Sequence, residues 1–163
     1  MIKYKLTNQN LQTYGGFQWE MGKKVTTSGE GELCGSGWLH YYHHPLLAVL
    51  LNPIHANFKN PRMFEVEVGS TCLDDKGLKG GTTEMTLVKE ISIPEVTIVN
   101  RIAFAILCAK EVYKETGWNK WADNWLNNID RSHDAAAAAY AAAAANAADL
   151  DLITLAEKAM TYK

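Results

Sequence analysis

The stretch "TEMTLVKEISIPE", Thr83–Glu95, decides the fold class, because the periodicity of the chain changes inside it. Through Ile91 apolar and polar residues alternate, the pattern of a strand with one buried face. Met85 and Leu87 point inward on this reading, and Ile91 shares their parity. Ser92-Ile93-Pro94-Glu95 then offers an N-cap serine with a glutamate three residues on, a capping box. Beyond it Val96, Val99, Ile102, Ala103, Ile106 and Val112 recur at helical spacing up to Thr116. The break predicts an α+β protein with a β-rich lobe over 1–92 and a helical lobe over 93–163, packed as one compact unit.

Working back from this stretch, "MFEVEVGS" (63–70) alternates most clearly, with Phe64, Val66 and Val68 opposite Glu65 and Glu67. "IKYKLT" (2–7) alternates as well, and "GGFQWEMGKKV" (15–25) reads as a turn and short strand. These segments predict a small antiparallel sheet. "HPLLAVLLNP" (44–53) reads as one short helix, opened by Pro45 and stopped by Pro53. "DDKGLKGG" (74–81) reads as an exposed hairpin loop.

Working forward, "IAFAILCA" (102–109) is apolar on nearly every face, so its helix is the buried centre of the lobe. Gly117 is expected just past its end. Trp118, Trp121 and Trp125, continuing to Ile129, form one face of a second helix and read as core. Asp130 or Ser132 caps a third, "DAAAAAYAAAAANAAD" (134–149), whose twelve alanines favour a thin, closely packed helix. Leu150–Met160 is an amphipathic last segment, with a bend expected near Asn146–Asp151.

The totals narrow the function classes. The chain has 163 residues and a formal net charge of −2, with nine basic and nine acidic side chains in residues 1–90 and seven and nine thereafter. Only Arg62, Arg101 and Arg131 are arginines, so the basic, arginine-rich face of a nucleic-acid binder is not expected. Three separated cysteines, Cys34, Cys72 and Cys108, suggest free thiols in a reducing compartment. The N-terminus lacks an apolar signal region and no apolar run approaches a membrane span. A cytoplasmic protein is expected, in the host cytoplasm if phage-encoded, with a homodimer plausible.

The densest chemistry lies in "CGSGWLHYYHHP", Cys34–Pro45. Cys34, His40, His43, His44, His55 and Cys72 are all possible metal ligands, yet C-x5-H-x2-H-H matches no common zinc spacing, and no metal site is assigned. Cys34 with His40 lacks a third orienting residue, so no catalytic residue is assigned either. The stretch reads as a turn–strand–helix junction and as the rim of a shallow pocket. By residue type, a ligand with a stacking ring and a phosphate would be met by Tyr14, Trp19, Lys23, Lys24, Trp38, His40, Tyr41 and Arg62.

"GGFQWEMGKKVTTSGEGELCGSGWLHYYHHPLLAVLLNP", followed by "MFEVEVG" and "VKEISI", resembles an uncharacterised domain of tailed-phage and prophage proteins over about residues 14–93. Its pattern runs GFQ-x-E-x-GK, C-x-S-GFH, PL-x-VL, F-x-EVE; here Leu39 is inserted between Trp38 and His40. The helical half, "CAKEVYKETGWNKWADNWLNNIDRSHDAAAAAYAAAAANAAD", is similar to alanine-rich helical modules of immunity proteins. Together the resemblances imply a non-enzymatic binding or inhibitory protein, immunity-like or anti-defence. It would block a host protein or sequester a small nucleotide-like ligand, with no cofactor. Gly37–His40 and the helix after it are also similar to ADP-ribosyltransferase-like enzymes. That alternative implies NAD, with Lys3 and Lys5 where those enzymes carry arginine or histidine, and a glutamate supplied by Glu65, Glu67 or Glu84. A virion structural protein is the remaining alternative.

Overall fold

A computed structural model describes residues 2–131 and 150–163. The described chain is α+β and forms two compact units, Met1–Glu95 and Val96–Lys163. The alanine-rich segment and its expected bend lie outside the described residues.

The first unit holds two antiparallel sheets. β1 (Lys3–Thr7), β2 (Lys24–Thr26), β4 (Arg62–Val68) and β7 (Glu84–Ile91) form the larger one, in the order β1-β4-β7-β2. β3 (Leu39–Tyr41), β5 (Cys72–Asp74) and β6 (Gly80–Thr82) form the smaller, in the order β3-β6-β5. Helix α1 (Pro45–His55) lies against β1. The alternation of β4 and β7 works as read: Phe64, Val66, Met85 and Leu87 are buried together with Trp19, Leu39 and Tyr41. Residues facing each other across an antiparallel pair share a sheet face. Lys3 and Lys5, opposite Val66 and Phe64, therefore project onto this same apolar face.

Ile91 does not. Glu65 pairs with Lys89 but Val66 with Leu87, so Val88 is an extra residue that reverses the parity beyond it. Ile91 ends opposite Met63, on the other face of the sheet, where Met63 and Leu6 are buried. The "DDKGLKGG" loop is also shorter than expected. Gly80 and Gly81 are buried residues of β6, and a Cβ on Gly80 would come within 2.3 Å of the Tyr41 ring. These glycines make room for a neighbour, whereas sequence alone reads them as turn formers. Pro53 does not stop α1, which runs on to His55. Proline removes one donor near the end of the helix, and the N–H groups of Ala56 and Asn57 close the last turn onto Asn52 O at 3.0 and 2.6 Å.

In the second unit α2 (Ile98–Val112) lies against α3 (Thr116–Leu126) and α4 (Leu152–Ala159). Its capping box is Thr97 with Asn100, not Ser92 with Glu95. Proline disfavours a helical conformation in the residue before it, which opposes a helix beginning at Ile93, and α2 starts at Ile98. Gly117 sits in the first turn of α3, whose N-cap is Glu115; the preceding helix ends at Val112. Trp125 is buried, Trp118 and Trp121 are half-buried, and Ile129 lies beyond the helix and exposed.

Asn100 joins two roles. Its Oδ1 accepts from Thr97 N at 2.9 Å, while Nδ2 donates to the carbonyls of Ala159 at 3.0 Å and Tyr162 at 2.9 Å. Asn100→Ala removes half the cap and leaves both carbonyls without this donor. A loss of about 2–3 kcal/mol in urea denaturation is expected. Asn100→Asp keeps the cap acceptor but turns a second, charged acceptor toward the two carbonyls, so it should lose at least as much.

Candidate functional site

The residues of Cys34–Pro45 divide into separate tasks. Trp38 is buried, and its Nε1 donates to Gly31 O at 3.1 Å. His40 Nε2 donates to Leu33 O, so both side chains fasten the glycine-rich loop that precedes β3. Tyr41 enters the core between the sheets. Tyr42 exchanges two backbone hydrogen bonds with Tyr4, at 2.9 and 2.7 Å, which joins the smaller sheet to β1. Its ring stacks on His55, with the hydroxyl 3.1 Å from Nδ1. His44 is the N-cap of α1, its ring accepting from Leu46 N at 3.3 Å. Among the described residues no three His, Cys, Asp or Glu side chains are grouped to hold a metal ion.

His43 has a different surrounding. Its Nε2 donates to Asp74 Oδ2 at 2.5 Å, and its Nδ1 accepts from Lys3 Nζ at 2.7 Å. Next to this chain of three, Lys5 Nζ donates to His40 O at 2.8 Å and lies 4.6 Å from the centre of the Trp19 ring. No carboxylate pairs with Lys5 among the described residues, and its burial pushes the ammonium pKa down to about 7. Burial lowers His40 too; Leu33 O opposes that shift, and the nearby charges of Lys5 and Lys79 add to it. His55 is lowered to about 4, again first by burial and then by Lys79. The interior of this unit thus gathers basic side chains beside aromatic rings, with burial opposing the positive charge of Lys5, His40 and His55.

The eight residues selected by type for one pocket occupy several places. Trp19 and Tyr41 meet in the core, and His40 lies beside them through its carbonyl. Tyr14 lies apart from these, 99% exposed on a short 3₁₀ turn, Tyr14–Gly16. Lys23 pairs with Glu20, Lys24 with Glu84, and Arg62 with Glu90 in a two-bond contact at 2.8 and 2.6 Å. These three cations are thus engaged with carboxylates at the surface. Of the glutamates considered for NAD chemistry, Glu84 is the one bonded to Lys24, while Glu65 and Glu67 lie on the sheet face away from Phe64 and Val66. An open depression of about 260 Å³ is lined by Asn8, Gln9, Asn10, Phe58, Lys59 and Asn60, none of them among the eight.

Lys3, Lys5, His43 and Asp74 were outside that set. The available signal was the common parity of Lys3 and Lys5 in "IKYKLT". That parity alone does not place them against the aromatic rings, because β3 and β5, which bring His43 and Asp74 alongside, come from later residues.

The family model described as Domain of unknown function (DUF7666) matches residues 1–99. The chain belongs to this family. No curated protein and no solved structure matches the chain. The DUF7666 region includes the whole of the first unit, and so every residue of the lysine–histidine–aspartate arrangement. The exposed thiols Cys34 and Cys72 fall in it as well, while Cys108 lies beyond it, buried, with its pKa pushed up to about 12 by that burial. Among the described residues no helix is long and apolar enough to cross a membrane.

Proposed function

We propose that this chain is a non-catalytic binding or inhibitory protein of the phage or prophage kind, and that it acts by blocking a host protein with the loop around Tyr14. The observation that carries this reading is the full exposure of Tyr14 at the tip of a firmly built hairpin. Thr13 N donates to Phe17 O at 3.0 Å, Gly16 N to Thr13 O at 3.0 Å, and Trp19 N to Leu11 O at 2.8 Å. Gly15 and Gly16 adopt φ of 67° and 76°, a conformation that side-chain-bearing residues seldom take. The buried Trp19 anchors the base of the loop, its Nε1 donating to Thr13 Oγ1 at 3.0 Å. Phe17, three residues on and edge-on to the Trp19 ring, adds exposed apolar surface to the loop. A rigid aromatic tip loses little entropy on binding, and tyrosine is enriched at interface hot spots.

The test is affinity capture from a bacterial host with the whole chain and with a Tyr14→Ala, Phe17→Ala variant. The variant is expected to fold normally and to lose its partner roughly 10- to 100-fold, the cost of truncating hot-spot residues. Equal capture by both proteins would sink the reading. A second reading, sequestration of a small anionic, nucleotide-like ligand, draws support from Lys3 and Lys5 lying over the rings of Tyr41 and Trp19. Native mass spectrometry separates the two. Extra mass that survives purification, with no protein captured, would favour sequestration.

A further inference from the structure

Three side chains from three separated strands meet in one line: Lys3 on β1, His43 just after β3, and Asp74 on β5. The backbone fixes each of them. Lys3 is held in register opposite Val66, and the paired hydrogen bonds between Tyr4 and Tyr42 set the residue after Tyr42 beside the residue before Tyr4. Asp74 is paired with Gly80, and its other oxygen, Oδ1, accepts from Gly77 N at 2.7 Å, which turns Oδ2 toward His43. Since Nε2 donates to that carboxylate, the remaining nitrogen, Nδ1, is the acceptor in the neutral ring. It faces Lys3 Nζ at 2.7 Å.

An amine within hydrogen-bond reach of a base, with the base oriented by a third group, is the arrangement that activates nucleophiles. We propose that Lys3, served by His43 and oriented through Asp74, condenses with a small aldehyde or ketone to form an imine. His43 Nδ1 takes a proton from the Lys3 ammonium, and the freed amine forms a C–N bond to the carbonyl carbon. The π electron pair of the carbonyl moves to its oxygen, which takes one of the two protons on the now positively charged nitrogen to give a neutral carbinolamine. The C–O bond then breaks and water leaves, with His43 returning its proton to the departing hydroxyl. The sum is one ammonium and one carbonyl giving one protonated imine and one water, with no oxidant or reductant. Only 9% of Lys3 is exposed, against the Tyr41 ring 5.4 Å away, so the site suits small carbonyls and excludes bulky ones. Asp74 is a positioning residue, since it acts through His43.

Acetaldehyde with cyanoborohydride is the probe, since reduction fixes an imine as an ethyl group that peptide mass mapping locates. In the folded chain Lys3 is expected to gain label roughly tenfold faster than exposed lysines such as Lys59 and Lys120, a modest part of what a positioned base supplies. In urea that preference should vanish. His43→Gln should abolish it, and Asp74→Asn, which keeps an acceptor for Gly77, should weaken it without unfolding the protein. If His43→Gln fails to fold by circular dichroism, the Asp74→Asn result decides alone. Labelling of Lys3 no faster than the exposed lysines overturns the proposal, and so does labelling unchanged by the substitutions. Tyr14→Ala should leave it unaffected, so this site and the loop reading fail separately.

Discussion

Lys5→Met should make the first unit more stable by about 2–3 kcal/mol at pH 7, and should erase a rise in stability that the unaltered protein has on the alkaline side of neutrality. The folded state holds Lys5 without a carboxylate partner and lowers its pKa from an ordinary 10.5 to about 7. Between those values the unfolded chain binds the proton and the folded chain does not, so stability climbs with pH by about 1.4 kcal/mol per unit from this one group. Below about 7 both states are protonated, and the full penalty, of order 5 kcal/mol, is carried. Methionine removes it, and also removes the bond to His40 O and the contact with the Trp19 ring, together worth about 1–2 kcal/mol. The window from pH 7 to 9 isolates the effect. His40 and His55 have lowered pKa values and contribute only below their ordinary 6.5, where stability falls as pH falls. Cys108, raised from 9.0 to about 12, favours unfolding only above 9. Urea titrations at half-unit intervals should give a sloping profile for the parent and a flat one for the variant. A flat profile in both, with Lys5→Met destabilised, would mean that the lysine stays charged and that its bond to the β3 carbonyl outweighs its burial.

The same lysine marks the limit of what the sequence disclosed. Period-two alternation located β1, β4 and β7, because each buries an apolar set that repeats along the strand. It located the β-to-α change between Ile91 and Ile98 as well. It failed at Ile91, where one bulged residue reverses parity and nothing local announces the bulge. It failed at Gly80, where the reason for glycine is the Tyr41 ring, 39 residues earlier. The cap of α2 was misplaced because Ser92–Glu95 fits the familiar pattern, while Thr97–Asn100 makes the same reciprocal bonds with an asparagine. The candidate site suffered for a related reason. Lys23, Lys24 and Arg62 were selected for charge, but each meets a carboxylate, and for Lys24 and Arg62 only the strand register brings it close. The converse holds for Lys3, His43 and Asp74, whose separations of 40 and 31 residues leave no trace of their meeting in one dimension.

Trp19→Ala should cost the first unit about 3–5 kcal/mol, the range for emptying a fully enclosed aromatic site. Trp19 is 1% exposed and packs with Leu39, Tyr41, Phe64, Val66, Met85 and Leu87, so its removal leaves a hole that both sheets share. It also frees Thr13 Oγ1 and withdraws the ring beneath the Lys5 ammonium. The expected readout is a lower urea midpoint with an unchanged or slightly smaller slope. Trp19→Phe keeps most of the volume and loses the Thr13 bond, so a loss of about 1–2 kcal/mol is expected. The pair of variants separates two roles for this residue. A tryptophan that served mainly to stack on a ligand would be exposed enough for Trp19→Ala to cost little stability while binding was lost. A tryptophan that anchors the loop should weaken stability and presentation of Tyr14 together, and Trp19→Phe should then keep most of the partner binding that Tyr14→Ala, Phe17→Ala removes. Binding lost in Trp19→Phe at nearly full stability would move the contact surface from the loop tip to its base.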